Sequence, residues 1–122
     1  MDSTEQTTRH AAPPPLVWTF TIVHHLNPST IGRRLVLEEG VPVTLGRELA
    51  VLDGEGDRKL SRVHAVARVV DDQVVLEDQR SRNGTFVDGV RVERADLSED
   101  SVVGVGHVLL LCQRRPPFFV PA

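Results

Sequence analysis

A chain of 122 residues, 40% of them hydrophobic, is sized for one domain with a single core that needs neither disulfide nor metal. Its net charge of −3 excludes a global electrostatic attraction to nucleic acid, so any anion binding must come from a local arginine cluster. The lone Cys112 excludes an internal disulfide, and no apolar stretch approaches the ~20 residues of a membrane helix.

Residues 1–15 (MDSTEQTTRHAAPPP) read as a disordered arm ending in a stiff proline spacer, without the basic start and apolar run of a signal peptide. With one cysteine and no targeting segment, a reducing, cytoplasmic setting is expected. The domain itself is expected over residues 16–113, and the signal there is β throughout. Val17 to His25 has strand length, and Arg34 to Glu38 alternates. Val41 to Gly46 begins with Pro42, which suits an edge. His64 to Val70 and Gln73 to Asp78 are joined by an Asp71-Asp72 hairpin turn. Phe86-Val87 and Val90 to Val92 flank Asp88-Gly89; Val102 to Val105 and His107 to Gln113 close the series. Apolar residues nowhere keep helical spacing, and many short strands between turn signals imply a sandwich or a barrel. Residues 114–122 read as a proline-rich tail or linker to a neighbouring domain, with Phe118 and Phe119 available to pack back onto the fold. Arg114-Arg115 reads as a solvated strand end, Arg33-Arg34 as a turn flank and Cys112 as a small buried apolar residue.

The segments between strands carry the chemistry. "SRNGTFVDG" (81–89) holds two turn dipeptides, Asn83-Gly84 and Asp88-Gly89, too close for an ordinary strand between them. Asp88-Gly89 suits a hairpin, which leaves Ser81 to Thr85 for another purpose. Up-and-down strands would bring that loop to the same edge as Gly46-Arg47 and Ser61 to His64. Arg47, Arg58, Lys59, Arg62, Arg80 and Arg82 would gather there among hydroxyls and an amide, the donor set of an oxyanion site. Competing readings are weaker. Ser61 and His64 lack a nucleophile elbow. His24-His25 would point to opposite faces of a strand, so no metal is expected. Without aromatic platforms the arginines do not suit nucleic acid.

The order Gly46-Arg47, Ser61-x-x-His64, Asp78, Ser81, Asn83-Gly84-Thr85, Asp88-Gly89 and a late Leu97, Val102-Val103, Gly106 resembles the forkhead-associated (FHA) family over about residues 17–113. The resemblance implies an all-β fold, an antiparallel sandwich of about eleven short strands, with recognition loops at one end. It implies a non-enzymatic module that binds phosphothreonine segments of partner proteins, without cofactor, membrane or direct nucleic-acid contact, in signalling or transcriptional regulation. Carried over residue by residue, Arg47, Ser61 and Arg62 would hold the phosphate, and Arg82 and Asn83 would meet the peptide. Gly46, His64, Gly84 and Thr85 would shape the loops. Some relatives keep the fold but interact without phosphate, and that alternative stays open here. The sequence departs from the family pattern at Glu48 to Leu60 (ELAVLDGEGDRKL), expected as a long, loose loop whose Asp53, Glu55 and Asp57 favour basic residues near the phosphothreonine.

Overall fold

The computed structural model describes residues 15–117; the rest of the N-terminal arm, Phe118 and Phe119 lie outside the described residues. Ten strands form two antiparallel sheets. In chain order they are β1 (Val17–His24), β2 (Arg34–Val36), β3 (Val43–Leu45), β4 (Ala65–Val70), β5 (Gln73–Asp78), β6 (Thr85–Val87), β7 (Val90–Val92), β8 (Arg94–Leu97), β9 (Val102–Val105) and β10 (Val108–Arg115). One sheet runs β2-β1-β10-β9-β6-β7 and the other β3-β4-β5-β8. Two 3-10 turns, Pro28–Thr30 and Ala50–Leu52, interrupt the connections.

Strand alternation builds the core. Phe20, Ile22, Val103, Val105, Leu110 and Cys112 project from the larger sheet against Leu45, Ala67, Val74, Leu76 and Leu97 of the smaller one. Burial, reinforced by nearby Glu99, pushes the Cys112 thiol up to about 12, consistent with an inert packing role. The Asp71-Asp72 hairpin is present with both residues at positive φ, 51° and 61°, as a tight two-residue turn requires.

Several expectations need correction. Ten strands stand where the resemblance implied about eleven, and the run after Arg47 makes the Ala50–Leu52 turn. Thr85 to Val87 is a true strand despite its length, since it pairs on both sides, with β7 and with β9. Strand β8 was not anticipated: Arg94 and Asp96 face outward, so its inward signal is just Ala95 and Leu97. Strand β10 continues through Arg115, and Arg114 is no simple solvated end. Its guanidinium stacks 4.6 Å above Trp18 and pairs with Asp72 at 2.7 Å.

Register decides where the loops go. Leu45, Ala65 and Asp78 stand side by side across the smaller sheet, and Thr85 faces Val105 in the larger. The connections 46–64, 79–84 and 106–107 therefore emerge at the same end of the sandwich.

Candidate functional site

Three links hold the first two of these connections in place. The first is a close backbone approach. Gly46 leaves strand β3 against the opposite limb of its own loop; Arg47 N–H donates to Ser61 O at 3.2 Å and His64 N–H to Leu45 O at 2.9 Å. A Cβ on Gly46 would lie 1.9 Å from Arg62 O, so no side chain fits there.

The second link is His64, fully buried. Its Nδ1 accepts from Ser61 N–H at 2.9 Å, which places the ring proton on Nε2, and Nε2–H donates to Gly84 O at 2.7 Å. Both ring nitrogens are thus spent on main-chain groups of two different loops. Neither serves the Ser61 hydroxyl as a base.

The third link is Asp78, a residue visible in the sequence pattern whose part in the site was missed. Its carboxylate accepts from Thr85 Oγ1 at 2.7 Å, from Ser81 N–H at 3.2 Å and, at short range, from Ser81 Oγ. Ser81 Oγ in turn accepts Gly84 N–H at 3.0 Å. Burial pushes the Asp78 carboxyl up, but the Ser81 and Thr85 hydroxyls and the Ser81 amide outweigh it and hold it below its ordinary value. Gly84 closes this loop at φ 91°, in the left-handed region.

These links present a cleft of about 220 Å³ lined by Arg47, Arg58, Leu60, Ser61, Arg62 and Arg82. Four guanidinium groups and a hydroxyl thus meet on a chain of net charge −3. Among the described residues, Arg47 Nε is buried without a hydrogen-bond partner. Arg62 makes only a loose pair with Glu48, 3.9 Å apart and both well exposed, an interaction of at most about 1 kcal/mol. Ser61 Oγ accepts Arg82 N–H at 3.2 Å, which leaves its own proton for a further acceptor. Asn83 stands beside the cleft rather than in its wall; its Nδ2 donates to Lys59 O at 3.1 Å. The remaining two expected cations, Lys59 and Arg80, do not line the cleft, and Arg80 occupies a positive φ of 53° in the loop.

The Glu48 to Leu60 connection is not the loose loop expected. Leu52 and Leu60 are fully buried and anchor it in the core. Asp57, only 3% exposed, accepts Lys59 N–H at 3.0 Å, His107 N–H at 2.7 Å and His107 Nδ1–H at 2.8 Å. Burial raises the Asp57 carboxyl, yet the bonds from His107 and Lys59 bring it below its ordinary value. Nothing in the sequence links Asp57 to His107. The adjacent histidines are likewise structural: His24 Nδ1–H donates to His107 O at 2.9 Å, and His25 Nε2–H to Leu52 O at 2.6 Å.

A β-sandwich whose end loops are tied into an arginine-lined cleft defines the class. The chain belongs to the FHA family: the FHA domain model matches residues 29–106. Similar solved structures are FHA domains. One, from a study of phosphothreonine-dependent FHA domain interactions, is 27% identical with a TM-score of 0.67, over 82% of this chain and 98% of its own. The FHA domain of CT664 protein from Chlamydia trachomatis is 29% identical at a TM-score of 0.67, over 80% of this chain and 96% of its own. The FhaA FHA domain, solved in complex with the intracellular domain of Rv3910, is 27% identical at 0.65, over 79% and 99%. No curated protein matches the sequence.

Proposed function

We propose that this chain is a phosphothreonine-recognition module that recruits phosphorylated partner proteins and performs no chemistry on them. The observation that carries the reading is the cleft in which Arg47, with its buried and unpartnered Nε, meets Arg58, Arg62, Arg82 and the Ser61 hydroxyl. A phosphothreonine brings about −1.5 to −2 charges and three strong acceptor oxygens. Arg47 grips the phosphate, Ser61 donates its proton to a phosphate oxygen, and Arg62 closes over it at the small cost of leaving Glu48. Arg82 and Asn83 border the path of the peptide main chain; the bond to Lys59 O holds the Asn83 carboxamide in place and leaves its Oδ1 and second N–H for the ligand. His64, Thr85, Gly46 and Gly84 act through loop shape. A non-enzymatic role is supported by the full commitment of the His64 ring, which leaves Ser61 without a base.

Phosphate dependence is the test. Against a library of paired peptides, the threonine-phosphorylated members should bind at about micromolar Kd, near −8 kcal/mol, and their unphosphorylated twins should not bind measurably. Equal binding of both would favour a phosphate-independent docking domain of the same fold.

A further inference from the structure

The arginine cleft continues into a second recess. Arg47 and Arg62 also line a space of about 290 Å³ whose other walls are Glu48 and Glu55. Both glutamates are exposed. Glu48 holds only the loose 3.9 Å pair with Arg62, and Glu55 has no ion pair among the described residues. The other acids of this loop are occupied or lie elsewhere. Asp57 is buried on His107. Asp53 accepts from Asn27 Nδ2 at 3.3 Å and borders a different recess.

We propose that Glu48 and Glu55 form a subsite for a lysine or arginine side chain of the ligand, so that the selected segment carries a basic residue close to its phosphothreonine. The inference rests on the phosphothreonine reading above and narrows its substrate class. Arg47 and Arg62 are the shared wall. When both turn to a phosphate in the first cleft, Glu48 loses its one ion-pair partner, and the two carboxylates of the second recess are left without a free cation. A basic ligand side chain restores the balance, whereas an acidic one meets two like charges. An extended segment rises roughly 3.3 Å per residue, so a long basic side chain within about three residues of the phosphothreonine reaches from one recess to the other.

The test is a titration of wild type and of the Glu48→Gln/Glu55→Gln variant with one phosphothreonine peptide, its flanks all alanine or carrying one lysine or one glutamate scanned through the flanking positions. In wild type the best lysine position should tighten binding about three- to tenfold over alanine, as one or two partly exposed ion pairs allow, and glutamate there should weaken it. In the variant that gain should vanish while the alanine peptide binds within about twofold of wild type, and high salt should shrink the wild-type gain. A lysine gain at no position, or one that survives in the variant, overturns the subsite. So does an equal change for all peptides, which would mean that the glutamates only orient the arginines. Phosphate-dependent binding that ignores lysine removes the subsite alone. Failure of every phosphorylated peptide removes the phosphothreonine reading and the subsite with it.

Discussion

Gly46 is pinned between two limbs of one loop. The position of a Cβ there, 1.9 Å from Arg62 O and 3.2 Å from Ser61 O, conflicts with main chain that His64 already ties down. Gly46→Ala should therefore cost about 2–4 kcal/mol, read as a lower urea midpoint. A loss below about 0.5 kcal/mol would mean that the two limbs separate freely. The Gly46-Arg47 pair was legible in the sequence, but its cause was not, because Arg62 approaches from the far side of the loop. Asp78 shows the same limit. It reads as an acid ending a strand, and only the fold reveals that one carboxylate gathers the hydroxyls of Ser81 and Thr85.

Among the elements, the regular hairpins were plain in the sequence because alternation and turn chemistry agree, as in β4, Asp71-Asp72 and β5. Strand β8 was hidden because two of its residues are charged and pair with solvent or with Glu77. The 46–64 connection was legible as a source of arginine and serine, yet its order was not, since Asp57 binds His107, 50 positions along the chain. That contact makes Asp57 a positioning residue for the arginines beside it. Asp57→Ala strands the Lys59 and His107 amides and should cost about 1–3 kcal/mol of stability. It should also weaken phosphopeptide binding about fivefold through a less ordered loop, although Asp57 does not line the cleft. Unchanged affinity in the folded variant would show that the loop keeps its shape without this tie.

At the scale of the molecule, the loop end is also where stability depends on acid. Asp57 and Asp78 both titrate below the ordinary aspartate value of 3.8 in the folded protein. Their stabilisation is complete above the unfolded value and is lost as pH falls through the lowered native values. Denaturation midpoints should hold steady down to about pH 4 and then fall, and Asp78→Asn should flatten that fall. A midpoint insensitive to pH over this range would mean that neither carboxylate supports the fold.

The central question is whether the arginine cleft is the phosphate site, and calorimetric titration of one phosphothreonine peptide into wild type, Arg47→Ala and Arg34→Ala answers it. Arg34 is an exposed control on strand β2, an edge strand of the larger sheet. The expected result is a loss of at least about tenfold for Arg47→Ala, one or more charge-assisted bonds, with Arg34→Ala matching wild type and both variants folded. Wild-type affinity in Arg47→Ala would contradict it.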